Sequence, residues 1–565
     1  MSVKKRFWIL SGIIVVIGIL AILLVCIQKY MPSSKRMSPE EYFGVLGETE
    51  ASVIVEDHVA QERAQIYEGS VYLDYTLVQN ELNSRFYWDA SEGVLLFTTP
   101  TQTFEIQPNN SSYRIDGETF DAGYEILHTT SAGMYLSMTF LQQYSDLNCQ
   151  VYEAPKRVVI TFGSRTVMTA RVRKDSAVRY QGGIKSPILT EVMEDTQVTV
   201  LEQMENWWKI LTPDGYIGYV KKNRLTDAEE MTRETYYAGS EYTSLQLDET
   251  VNLIWHQIDY PEMNSQFAED TKEMTGVNVI SPTWYYLKDS TGEITSFASA
   301  DYVKEAHKKG LQVWALISNF SPDVSTTTLL ASRSARTKVQ NYLVDQALEL
   351  GFDGINIDFE GIAQEAGNDY VQFLRELSIL CRKNQLILSV DVPVPMDFSK
   401  HYNRKELGVV CDYVIMMGYD EHYAGSDLVG SVASMEFEET GIQNMLTEVP
   451  KEKVVSAIPF YTRLWYTQTQ EDGSSQVTSE AFGMTGIENI LKENGVTSVY
   501  DEATGQQYAE WTDTQGRLCQ VWLEDEASVG KRAGLVKEYG LSGIAAWVLG
   551  REQSWVWNVI RKNIQ

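Results

Sequence analysis

Residues 353–360 read Asp-Gly-Ile-Asn-Ile-Asp-Phe-Glu. Side chains on a strand alternate between its two faces. Ile355, Ile357 and Phe359 therefore share one face, and Asn356, Asp358 and Glu360 the other. Three stacked polar residues carry a desolvation cost that ordinary core filling avoids. Two carboxyl groups held close in a shielded place do not both ionise easily, because burial and repulsion keep one protonated near neutral pH. Such a pair can perform general acid–base transfer. Glu360, nearest the strand's end, is the natural proton donor, and Asp358 its charge partner.

The elements that must position this column follow from the pattern around it. From about residue 250 the chain alternates short apolar runs with amphipathic helical stretches. The runs begin at Asn252, Val277, Gln312, Gly354, Leu386, Asp412, Val454 and Gly543. Helical segments such as ARTKVQNYLVDQALEL and DYVQFLRELSILCRK lie between them. Eight strands with intervening helices predict a (β/α)8 barrel over residues 250–565. In such a barrel the apolar face of a strand meets the helices. The polar face points into the lumen, towards the C-terminal end where these barrels place their active sites.

Ordinary glycosidases set a second carboxylate across the scissile bond, and no convincing candidate stands in this sequence. A mechanism in which the substrate supplies the nucleophile is favoured. The segment 353–360 resembles the signature of glycoside hydrolase family 18, Asp-Gly-x-Asp-x-Asp-x-Glu, with Asn356 in place of the middle Asp. Three further segments resemble the same family. Met417-Gly418-Tyr419-Asp420 is similar to its sixth-strand motif, and Pro459-Phe460-Tyr461-Thr462-Arg463 to its seventh. Gly543–Gly550, with Trp547, is similar to its last strand. The resemblance implies substrate-assisted retaining hydrolysis of N-acetylated glycans with catalytic Glu360, Asp358 and Tyr419. It implies substrate contacts from Asn356, Met417, Asp420, Tyr461, Arg463 and Trp547. Weaker cleft candidates are Trp255, His256, Gln257, Trp284, Tyr285, Tyr286, His422 and Tyr423. The excursion between Trp465 and Lys531 is expected to build a cleft wall.

The N-terminal half carries no such chemistry. Lys4, Lys5 and Arg6 precede an uncharged run from Phe7 to Ile27, about the length that spans a bilayer. Residues 1–30 are thus expected to form a cytoplasmic basic tip and a transmembrane anchor, with the rest outside the cell and 31–50 a linker. Residues 51–168 read as a β-rich stalk with an internal repeat, VYLDYTLVQ from Val71 and MYLSMTFLQ from Met134. The stalk resembles the N-terminal domain of copper amine oxidases. Residues 169–227, with Trp207-Trp208 and the turn Pro213-Asp214-Gly215, resemble a bacterial SH3-like barrel, a kind of module that binds wall peptides or acts as a spacer. Residues 228–249 read as a linker, with a helix expected from Asp227 to Glu234.

The formal net charge of -30 over 565 residues disfavours nucleic acid as a partner. The five cysteines match no metal motif. Buried thiols are expected, with a Cys381–Cys411 bridge as the alternative. No cofactor or metal is expected, and the sequence leaves the oligomeric state open. The reading is an α/β cell-surface enzyme: a transmembrane helix, a β-rich stalk, an SH3-like barrel and a TIM barrel. Peptidoglycan is favoured over chitin-like polymers. A non-catalytic, lectin-like wall protein is the alternative.

Overall fold

The structure is a computed structural model that describes residues 3–235 and 237–564. In the first helix, Val3–Tyr30, side chains are described at Trp8, residues 11–21, Leu23 and residues 28–30. This helix covers the run expected to cross a membrane. Among the described residues, however, no helix is long and apolar enough to do so. Lys4, Lys5 and Arg6 lie outside the described side chains. The expected fold class is corrected accordingly: the transmembrane helix is not supported, nor is the membrane partner that rested on it.

The chain forms two compact units, Met1–Tyr87 with Glu105–Gly239, and Trp88–Phe104 with Ser240–Gln565. In the first unit the two copies of the repeat pair with each other. Strands Ser70–Asp74 and Gly133–Ser137 run antiparallel with Leu73 opposite Leu136, and each leads directly into a helical turn. The SH3-like segment is a seven-stranded sheet. Trp208 is buried in its core while Trp207 is half-buried. Asp214 accepts the Thr212 hydroxyl at 2.6 Å inside the turn, and Gly215 has the positive φ (+87°) that the turn requires. The helix expected at 227–234 is instead a strand, Glu229–Thr232, antiparallel to Thr166–Arg171. An available sheet edge overrides the helical propensity of its acidic residues.

The second unit holds the barrel. Its strands are β1 (Val251–His256), β2 (Val279–Pro282), β3 (Gln312–Ser318), β4 (Gly354–Asp358), β5 (Ile387–Pro393), β6 (Tyr413–Met417), β7 (Val454–Pro459) and β8 (Gly543–Trp547). Every neighbouring pair is parallel, including β2 with β3 and β8 with β1, so the eight close into a ring. All eight coincide with the apolar runs read from the sequence. Two cores result. Ile355, Ile357, Phe359, Leu388, Val390 and Val392 pack outwards against the helices. Val251, Leu253, Trp314, Ile387, Tyr413 and Val455 fill the base of the lumen. There the rings of Trp314 and Tyr413 stack at 5.1 Å. Gly354 leaves room for them, since a Cβ on it would lie 2.9 Å from Trp314 Cδ1 and from the Ile387 carbonyl oxygen.

Candidate active site

Above that apolar floor the lumen turns polar. Asn356 and Asp358 on β4, Asp391 on β5, Ser281 on β2 and Ser318 on β3 are all buried. Both ends of the Asn356 amide are engaged. Its Oδ1 accepts Trp255 Nε1–H at 2.9 Å and Ser281 Oγ–H at 3.1 Å, and its Nδ2–H donates to Asp391 Oδ1 at 2.8 Å. The three donor and acceptor partners come from three different strands, so one side chain ties the centre of the barrel together.

Asp358 lies one step nearer the opening. Its Oδ1 is buried and has no hydrogen-bond partner among the described residues. Burial, then the charges of Asp391 and Glu360, push its pKa well above the ordinary carboxylate range. β4 ends at Asp358, so Glu360 stands just beyond the strand at the exposed rim. The protein packed around its carboxyl end raises its pKa, and the charge of Asp420 adds to the effect. Its backbone is held by Asn319, which follows β3. Asn319 Oδ1 accepts Glu360 N–H at 2.9 Å, and Asn319 Nδ2–H donates to the Glu360 carbonyl at 2.8 Å.

The end of β6 supplies Met417 and, two residues on, Tyr419. The Tyr419 and Tyr461 rings meet edge to face at 6.2 Å. Burial, then Tyr461, Asp358, Asp391 and Glu360, drive the Tyr419 phenol well above its usual pKa, which places it within electrostatic reach of all three carboxyls. Tyr461 donates its hydroxyl to Asp420 Oδ1. Asp420 has a positive φ of 59°, a backbone region disfavoured for residues other than Gly, Asn and Asp. Arg463 donates Nη1–H to Ser479 Oγ at 3.2 Å, while its buried Nε has no partner among the described residues. Trp547 ends β8 opposite Pro459, with its ring 5.9 Å from that of Trp255.

Glu360, Asp358, Tyr419, Met417, Asp420, Tyr461, Arg463 and Trp547 all belong to strand ends or the segments that follow them on this one face of the barrel, and Asn356 lies mid-strand in the lumen below them. The weaker candidates divide. Trp255 is a lumen residue bonded to Asn356. His256 points the other way, bonded to Tyr302 and paired with Asp270. Trp284 and Tyr285 are fully buried in the outer core, so they fill space and do not line a cleft. His422 bonds the Ser431 carbonyl, and Tyr423 is exposed. The excursion after Trp465 forms part of a five-stranded antiparallel sheet that begins with Tyr461–Thr469. The four described cysteines are free, so Cys381 and Cys411 form no bridge. Asp391, Ser281 and Asn319 were not anticipated. The signal for Asp391 lay in the alternation of LILSVDV: Ile387, Ser389 and Asp391 share the face opposite Leu388, Val390 and Val392.

A model of the family described as glycosyl hydrolases family 18 matches residues 216–552, more than half of the chain. The chain belongs to this family. It is a family 18 glycosidase, and a bacterial SH3 domain model matches residues 175–226. The stalk resemblance is not shown by these matches. The uncharacterized glycosylase YvbX of Bacillus subtilis is 27% identical over 304 residues, covering 52% of this chain and 86% of that protein. The cortical fragment-lytic enzyme of the same organism is 26% identical over 255 residues, covering 42% of this chain and 57% of that protein. Among solved structures, a chitinase from Chromobacterium violaceum aligns with TM-score 0.50 and 23% identity, over 56% of this chain and 99% of that one. The Bacillus cereus spore cortex-lytic enzyme SleL aligns with TM-score 0.51 and 18% identity, over 59% of this chain and 78% of that one. These two alignments show a shared fold.

Proposed function

We propose that this family 18 enzyme cleaves β-1,4 bonds of N-acetylglucosamine-containing glycans by substrate-assisted, retaining catalysis, with peptidoglycan as the favoured substrate. The observation that carries the reading is the buried, unpartnered Oδ1 of Asp358 one step below Glu360. A buried acceptor left unmade costs about 1–3 kcal/mol. A substrate N–H delivered to that point removes the cost, and a 2-acetamido group carries such an N–H beside the anomeric carbon.

Glu360, whose protonated form is favoured by the protein packed around it and by the charge of Asp420, gives its proton to the glycosidic oxygen. The acetamido carbonyl oxygen attacks the anomeric carbon as the leaving sugar departs as an alcohol. Asp358 accepts the acetamido N–H and balances the positive charge of the oxazolinium ring. Tyr419 donates to the acetamido oxygen. Glu360, now ionised, takes a proton from water, which opens the ring at the anomeric carbon with retained configuration. Trp547 lies under the sugar, and Met417, Asp420, Tyr461 and Arg463 complete the bed, while Asn356 stays buried below Asp358. The family permits this exception to the two-carboxylate rule.

Peptidoglycan is favoured because the relatives include a protein named for lysis of cortical fragments and because the chain carries a bacterial SH3 domain. Action at the wall places the catalytic domain outside the cytoplasm. The test is digestion of purified wall, followed by measurement of new reducing ends. The wild type should release them. Glu360→Gln should be slower by about 10²–10⁴-fold, the usual worth of general acid–base help. Equal release by both proteins would remove Glu360 from the mechanism, and release from chitin oligomers alone would replace the favoured substrate.

A further inference from the structure

Asn356 is the place where this chain departs from the family signature, with an amide where the pattern has a carboxylate. A carboxylate nevertheless lies beside it. Asp391, on the neighbouring strand β5, is buried, and its Oδ1 accepts Asn356 Nδ2–H at 2.8 Å. The orientation of that amide is fixed, because Trp255 and Ser281 both donate to its oxygen. Only the NH2 group can face β5, so Asp391 must present an acceptor there.

The groups around Asp391 are mostly acidic. Glu360 and Asp358 interact with it from the β4 side, Tyr419 from beyond β6, and Tyr370 from the helix Gly367–Asn384. Tyr402 interacts with Glu360 and Asp358. Arg404 bonds the Pro393 carbonyl at the end of β5, and its charge interactions are with Glu448, Tyr402 and Tyr370. Burial, first, and the charge of Glu360 push the Asp391 carboxyl well above the ordinary carboxylate range, and the hydrogen bond from the Asn356 amide is what favours its ionised form.

We propose that Asp391 is a positioning residue for Asp358: it carries, one strand over, the negative charge that Asn356 cannot, so that two buried carboxyls hold one charge between them. The inference rests on the reading of Asp358 as the counter-charge of the oxazolinium. Burial and the charge of Asp391 both oppose ionisation of Asp358. Full ionisation of Asp358, which the reaction needs, is therefore delayed to higher pH, and this sets the acid limb of the pH–rate profile. The Asn356 amide relays position as well as charge. It anchors Asp391 to the two strands on the far side of the lumen.

The test is the pH–rate profile on a soluble N-acetylglucosamine oligosaccharide for three variants. Asp391→Asn keeps an acceptor for the Asn356 amide but removes the charge, and should move the acid limb to lower pH by about one unit. Asn356→Asp adds a carboxylate and should move it to higher pH. The double variant Asn356→Asp/Asp391→Asn places the carboxylate back on β4, with the new amide on β5 as its donor, and should return the limb close to its wild-type position. If Asp391 only holds Asn356 in place, Asp391→Asn leaves the limb where it was and the proposal is overturned. If Asp391→Asn does not fold, the other two decide: a double variant that stays with the Asn356→Asp profile also overturns it. Failure of the underlying reading is distinct, since the wild type would then cleave analogues lacking the acetamido group at full rate.

Discussion

Asn319 holds Glu360 by both ends of its backbone, accepting from its N–H at 2.9 Å and donating to its carbonyl at 2.8 Å. The residue given the role of acid lies beyond the last hydrogen-bonded position of β4, where the sheet no longer fixes it. A single amide just past the neighbouring strand β3 does so instead. Gly361, with φ +61°, turns the chain away directly afterwards.

Asn319→Ala should therefore lower kcat by about 10-fold or more while leaving KM nearly unchanged, because small misplacements of a reacting group are costly. Melting temperature should fall only slightly, since the site is exposed. Steady-state kinetics on a soluble oligosaccharide checks this. A changed KM with unchanged kcat would mean that Asn319 serves binding rather than placement.

Asp420 raises the pKa of Glu360 through its negative charge. Asp420→Asn should lower that pKa, so Glu360 loses its proton at lower pH. The alkaline limb of kcat/KM, which reports the acid in the free enzyme, should move towards acid. A shift in the other direction would contradict the assigned electrostatics.

Asp358 has a folded-state pKa far above its unfolded value of about 3.9. The native state then binds more protons than the unfolded one. The stability this group allows is fully present below pH ~4 and is lost as pH rises through the folded pKa. Asp358→Asn should accordingly raise the melting temperature at neutral pH, with the gain shrinking towards pH 4, while activity is severely reduced. Calorimetry at the two pH values reads the difference. A melting temperature lowered at neutral pH would show that Asp358 is not a strained buried acid.

Residues 88–104 belong to the barrel's compact unit although they lie in the stretch read as stalk. Asp89 accepts from Arg336 Nη2 at 2.7 Å, and both side chains are fully buried. Arg336 also pairs with Glu376. Asp89→Ala removes one anion from a buried cation and should cost about 3 kcal/mol, visible as a lower denaturant midpoint. A change below about 0.5 kcal/mol would place the pair among those worth nothing measurable.

The barrel strands were legible because each is buried on both faces and reads as a short apolar run, and the column at 353–360 because alternation on one strand needs no tertiary information. Asp391 and Asn319 were harder to find. Each acts across a strand boundary, and pairing register is not written in one strand alone. Asp391 could have been noticed as the polar member of an otherwise apolar run. Asn319, just past QVWALIS, carried no such mark. The misplacement of Trp284 and Tyr285 has another cause: an aromatic next to a strand end suits a sugar platform and a barrel core equally, and only burial separates them. The helix expected at 227–234 was lost to an adjacent sheet edge.

The central claim is that the substrate's own acetamido group is the nucleophile, with Asp358 as its counter-charge. The most direct measurement compares initial rates on two oligosaccharides identical except at the sugar being cleaved, one with a 2-acetamido group and one with a 2-hydroxyl. The account predicts rapid cleavage of the first and no more than a background rate on the second. Comparable rates on both would contradict it.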